Sequence, residues 1–470
     1  MRIVTTLLLA GLPGMAGAHA FGQSYVLPVP FSLYAWGGVA ALLLSFLVAA
    51  GLLRRPLVMR DAGPARPIPA ALTVSLRSLA LAALALTMTT GWLGPQDPYL
   101  NAAMTLFWIL FVLGLAYLTA LTGDVFSGIS PWLTLVMLAR RLSRRETRIR
   151  LPAGLGCWPA VFLYAGFIAM ELFADPGPRG LATLLLAYTA GMVIAGWWLG
   201  PHWLEAAELF SRVLALFGRC APLQWEQAPA GLALRWRWPL QGLMTSSSRQ
   251  PGEVVLILLI LAATAYDGLH TTQVWAKLYW ETLFGWLQPW LGDNLVVAWP
   301  VLKPLHAIWE LISLLLAPLL YLAAYLAALA LARQLTGSRL SLRLLARRFA
   351  PSLLPIALVY HISHYFTLLL TQGPQIGWLM SDPFALGWQL RTGNRLPVTQ
   401  LLPAMGTVWH VQVGLILTGH AASVALAHHE ALRCFGNARA AWRSQLPMLL
   451  LMMGMTVSGL WILAQPINPG

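Results

Sequence analysis

Three pairs of ionisable residues sit inside apolar, membrane-length stretches of this chain: Asp267 with His270, His306 with Glu310, and His361 with His364. Two more histidines, His410 and His420, follow in the next apolar stretch. Ionisable groups in hydrocarbon are costly, so each is by default a candidate for function. Spacings of three and four place both members of a pair on one helix face. Imidazoles and carboxylates ligate zinc, copper, iron or manganese, and a metal so held can supply hydroxide for hydrolysis. Without metal, the same groups relay protons. His361-x-x-His364 is the most specific local signal. It is not the zincin helix, which spaces its histidines four apart with a glutamate after the first. The bland alternative for any one histidine is a hydrogen bond to a neighbouring helix.

The elements that must position these groups are transmembrane helices. Of 470 residues, 58% are hydrophobic and only 10% charged, against roughly 25% charged in soluble proteins. The expected fold is an all-α, polytopic transmembrane helical bundle. It has about ten spans, each near the length needed to cross a bilayer. They run approximately Ser32–Leu53, Leu72–Leu93, Ala102–Leu121, Cys157–Phe173, Leu181–Leu199, Val254–Gly268, Pro304–Ala332, Pro351–Thr371, Leu401–His428 and Gln445–Leu463. Arg2, a short apolar run and the small residues Ala16-Gly17-Ala18 read as a signal peptide over residues 1–20. Residues 21–470 then form one membrane domain. Cleavage after Ala18 would expose His19 as a copper-chelating N-terminus, whereas cleavage after Ala20 would remove it.

Twenty-three of the 30 Lys and Arg residues fall in alternate loops, such as Arg140–Arg150 and Arg333–Arg348. The positive-inside rule makes those loops cytoplasmic. The protein is thus expected in a bacterial inner membrane with both termini periplasmic. The net charge of +14 follows from this bias, and no recognition fold supports nucleic-acid binding. Cys157, Cys220 and Cys434 map to the cytoplasmic side, where thiols stay reduced.

This orientation puts eight polar groups in the outer half of the membrane: Glu171, Asp267, His270, His306, Glu310, His361, His364 and His410. His364 lies roughly 10 Å from the outer end of its span and His410 roughly 14 Å, so depth alone brings them together. The expected metal ligands are His361, His364, His410, Asp267 and His270, with Glu310 or His306 as general base or outer-shell partner. His420, deeper and nearer the cytoplasm, is a candidate for a second metal or an axial haem bond. His428, His429 and Glu430 are expected solvated at the inner interface. The stretch Glu205 to Phe217 is expected to lie along that interface. Trp275, Trp280, Trp286, Trp290 and Trp299 share one outer connection, an interfacial aromatic belt or a lid over an outward pocket.

Several segments carry a family likeness. They are HAFGQSYVLPVPFSLY after the signal, YDGLHTT at Tyr266–Thr272, SHYFTLLLTQG at Ser363–Gly373, SDPFALGW at Ser381–Trp388, and WHVQVGLILTGHAASVALAH at Trp409–His428. Together they resemble a bacterial family of polytopic membrane proteins known as fenitrothion hydrolases. The resemblance implies a hydrolase of organophosphate triesters, and it carries no catalytic set across. Three readings follow. The first is a metal-assisted intramembrane hydrolase, fed from the lipid bilayer with an apolar small-molecule substrate. The second is a copper or haem protein of the envelope. The third is a proton-coupled transporter using Glu171, Asp267 and His364, for which broken helices and inverted repeats are the usual signs.

Overall fold

The computed structural model describes residues 29–465, except 59–61, 145–151, 153, 229–230, 247, 249, 293, 389 and 391–397. The signal peptide, His19 and most of the first family-like segment lie outside the described residues. The protein is an all-α helical bundle, and among the described residues nine helices are long and apolar enough to cross a membrane. They are α1 (Phe31–Leu52), α2 (Ala70–Leu93), α3 (Ala102–Thr122), and then, beyond the short α4 (Pro131–Leu142) and α5 (Trp158–Phe173), α6 (Pro178–Leu199). After the short α7 (Leu209–Gly218) come α8 (Pro251–His270), the short α9 (Phe284–Leu291) and α10 (Leu295–Thr336). The bundle closes with α11 (Leu354–Gln372), α12 (Met405–Phe435) and α13 (Ala438–Ala464). The tenth expected span is α5, apolar but only 16 residues long.

Local chemistry sets the helix ends. Proline begins α6 and α8, where a missing N–H costs nothing. Asn294 and Asn437 cap α10 and α13 through their side-chain oxygens. Gly337 and Gly436 end α10 and α12 in the left-handed region that glycine tolerates. At 42 residues, α10 is about 63 Å long. That is twice a hydrocarbon core, and the helix starts well before the expected Pro304.

α8 is the hub. Nearly every residue from Gly252 to Gly268 is buried, because α5, α10, α11 and α13 all pack against it. α12 lies against α11 and α13, and α1 packs against α12 and α13. At the arginine-rich end, β1 (Arg66–Pro67), β2 (Leu223–Ala228) and β3 (Gly231–Trp236) form a small antiparallel sheet in the order β1-β3-β2.

Two expectations change. The stretch expected along the interface breaks at Glu208, whose side chain caps α7. From there α7 enters the bundle, burying Leu214, Leu216 and Phe217 against α3 and α5. It is held by Arg219, whose Nη1 lies 2.6 Å from Glu253 Oε1 at the start of α8, with Arg212 Nη2 3.4 Å from Oε2. His428, His429 and Glu430 are buried rather than solvated. His428 Nε2 donates to Leu53 O at 2.9 Å and His429 Nδ1 accepts from Leu57 N at 3.3 Å, so these histidines tie α12 to the chain leaving α1. Cys157 and Cys220 are free thiols inside the fold, and burial pushes the Cys220 thiol up to about 12, which makes it inert.

α11 and α12 meet at Gly419, where a Cβ would stand 2.9 Å from Pro355 O and press into Val359. Gly419→Ala gains about 1 kcal/mol of helix propensity. Overpacking against a backbone oxygen costs about 1–3 kcal/mol, and that oxygen cannot rotate away. The expected net result is a lower thermal midpoint in detergent. An unchanged or higher midpoint would mean the two helices separate freely.

Candidate functional site

The arginine-poor half of the bundle holds two buried carboxylates, Asp267 on α8 and Glu310 on α10. Their side chains are only 1% and 7% exposed. A carboxylate there must find its hydrogen bonds within the protein. Asp267 Oδ2 accepts from Tyr365 Oη and sits 2.8 Å from His364 Nε2, both on α11. Glu310 Oε2 accepts from Tyr266 Oη at 2.5 Å, and Oε1 accepts from Trp275 Nε1 at 2.9 Å. The tyrosines and the tryptophan act as neutral donors, which satisfy an anion without adding a second buried charge.

His270 stands between the two acids. Its Nε2 is 3.4 Å from Asp267 Oδ1 and its Nδ1 is 3.9 Å from Glu310 Oε2. The Tyr266 ring stacks on it at 5.5 Å and 4°, fixing its plane. His306, one turn before Glu310, places Nε2 3.4 Å from Oε1. The result is a run of alternating base and acid across three helices: His364, Asp267, His270, Glu310, His306. Helix spacing explains the pairs within α8 and α10. Packing of α8 against α10 and α11 explains how the pairs join.

Exposure alternates along the run. Both acids are buried, His364 and His270 are nearly so, and the His306 side chain is 33% exposed. Above His306 lies the aromatic connection. Trp280 stacks on its ring at 5.4 Å, Tyr279 meets it edge-on at 4.6 Å, and Trp275 stacks on Trp309. Trp286 and Trp290 point outward, 72% and 86% exposed. The connection thus both covers the site and presents an aromatic rim.

At the inner end, Asp267 opens onto a cavity of about 50 Å³ for water-sized molecules, lined also by Glu171, Tyr164, His361 and Tyr365. α7 forms its floor through Phe210, Val213 and Phe217. His361 is one turn from His364 but serves a different neighbour. Its Nδ1 lies 3.4 Å from Tyr117 Oη on α3.

Two of the histidines singled out in the sequence lie outside the run. His410 is exposed and bonds its own helix through Nδ1 to Gly406 O at 2.6 Å. Depth was a fair guide, but rotation decides. On α12 the inward face carries Trp409, Gln412 and Ile416, all buried, and His410 is turned away toward Tyr34. His420 is buried, with Nδ1 2.8 Å from Ile416 O, beside a separate cavity of about 20 Å³. That space takes no haem.

The metal-centre expectation meets a geometric difficulty. Among the described residues no group of three or more His, Cys, Asp or Glu is arranged to hold a metal ion. A metal needs several lone pairs aimed at one point about 2 Å away. Here the acid oxygens instead face Tyr, Trp and His donors in a line. The donor set does not fit the expected divalent ion.

Composition alone did not single out Tyr266, Tyr365, Trp275 or Tyr117. A signal existed: Tyr266 and Tyr365 directly adjoin Asp267 and His364 in sequence. Removing an acid should expose their role. Asp267→Ala removes the carboxylate that Tyr365 and His364 share, at about 1–3 kcal/mol for a lost buried hydrogen-bond partner. The variant should lose thermal stability clearly, while isosteric Asp267→Asn loses less. Equal melting of both variants would count against this assignment.

No family model, curated protein or solved structure matches this chain, so what the site does must be read from its own chemistry.

Proposed function

We propose that this chain is an integral membrane protein that relays protons through its buried imidazole–carboxylate run, in support of proton-coupled transport. One observation carries the reading: His270 faces Asp267 through one ring nitrogen and Glu310 through the other. An imidazole can accept a proton at one nitrogen and release another from the opposite one. Once a proton from the cavity has protonated Asp267, that proton passes to His270 Nε2, the Nδ1 proton passes to Glu310, and His306 takes it toward the aromatic rim. The links of 3.4 and 3.9 Å close with side-chain shifts of about 1 Å, a looseness common at resting acid–base sites. The arginine distribution supports placing the relay in the periplasmic half of an inner membrane with outward termini.

Protein reconstituted in vesicles with an entrapped pH dye should dissipate an imposed pH gradient. His270→Phe keeps a flat ring against Tyr266 but removes both nitrogens. It should slow dissipation by about a hundredfold, the scale of a lost acid–base group. Equal rates for the two proteins would end the relay reading.

A second reading has its own support. His306 and Glu310 form a base–acid dyad at the reachable end of the run, and the sequence resembles the fenitrothion hydrolases. In that reading Glu310 orients the ring, and His306 takes a proton from a water attacking phosphorus. A P–O bond to the water forms, the P–O bond to the aryl group breaks, and a phenolate leaves. The interior cavity of about 50 Å³ is far below the roughly 300 Å³ of a small-molecule pocket. The apolar triester must therefore approach His306 from the lipid side, beneath Trp280. Purified protein should release nitrophenolate from fenitrothion even in the presence of a chelator, and His306→Ala should abolish it. Absence of release by the unaltered protein, or full release by the variant, would remove this reading.

A further inference from the structure

Away from the relay, a second cavity of about 20 Å³ lies where α8, α10, α11, α12 and α13 meet. His420 and Tyr360 line it, only 3% and 6% exposed. His420 Nε2 and Tyr360 Oη have no hydrogen-bond partner among the described residues. The tautomer is fixed, because Nδ1 lies 2.8 Å from the Ile416 carbonyl, to which only an N–H can donate. Nε2 is therefore a bare lone pair, held in a fixed direction and buried. An unsatisfied group of this kind costs about 1–3 kcal/mol, so a ligand is favoured there.

The lining says which ligand. The volume admits one water-sized particle, which excludes a haem or any organic cofactor. Met455 of α13 lines the same space beside the hydroxyl-bearing Tyr321 and Ser458, and among the described residues no carboxylate or thiolate does. A divalent ion would bring two uncompensated charges into the membrane interior. A neutral imidazole nitrogen and a thioether are soft, uncharged donors that select monovalent copper. Met448 and Met452, both buried, continue the thioether face of α13 at helical spacing.

We propose that His420 and Met455 bind a single Cu(I) ion in this cavity, with the Tyr360 oxygen facing it as a third, weaker donor. The site is separate from the relay and stands independently of it.

The test uses full-length protein in detergent, loaded with Cu(I) under anaerobic conditions and challenged with bicinchoninate. Cys434, the partly exposed thiol, is replaced by serine throughout so that copper on a thiol is not counted. One Cu(I) per chain should be retained, with one nitrogen and one sulfur neighbour in X-ray absorption. His420→Ala and Met455→Leu should each surrender the ion to the chelator. Met455→Leu nearly conserves volume, so it remains decisive if His420→Ala folds poorly. His270→Phe should bind copper normally whatever it does to proton flux. Absence of retained copper, a spectrum without sulfur, or undiminished binding in either cavity variant overturns the proposal.

Discussion

A carboxylate inside a bilayer has no water to turn to, and that constraint organises this molecule. Asp267 and Glu310 exist there because other helices bring donors to them. Tyr365 and His364 come from α11, Tyr266 and His270 from α8, and Trp275 from the connection that follows. Each donor is in turn fixed by packing. α8 is buried on all sides because it must offer Asp267 to one neighbour and Tyr266 to another. The membrane interior thus converts a cost in solvation into a demand for exact helix placement.

The same constraint separates the imidazole–carboxylate run from its surroundings. The acids are the most buried members and His306 the most open. At the opposite end Glu253 is clasped by Arg212 and Arg219, which seats α7 under the Glu171 cavity. The two ends solve the same problem differently. Near the arginine-rich surface, guanidinium groups neutralise a buried acid. Deeper in, neutral tyrosines and titratable histidines do so.

Much of this was legible in the chain. All ten apolar segments appear as helices, because length and hydropathy report directly on burial in hydrocarbon. The pairs Asp267/His270 and His306/Glu310 were legible too, since helix geometry fixes neighbours at three and four residues. The link between those pairs was not, nor was the role of Tyr365, because both depend on contacts between helices distant in sequence. His410 illustrates the limit. Its depth could be counted from the span's edge, but α12 carries polar residues on both its buried and its exposed faces, Gln412 on one and His410 on the other, so polarity did not mark which face turned inward.

By itself, then, the sequence determined which segments enter the membrane, which end carries the arginines, and how deep each ionisable residue lies. These follow from transfer free energy and from a fixed rise per residue. Only the tertiary structure decided the rotation of each helix about its axis. That rotation joined His364 to Asp267, turned His410 outward, and gave His420 a cavity of its own. Packing between neighbouring helices sets it, and that packing depends on segments far apart in the chain.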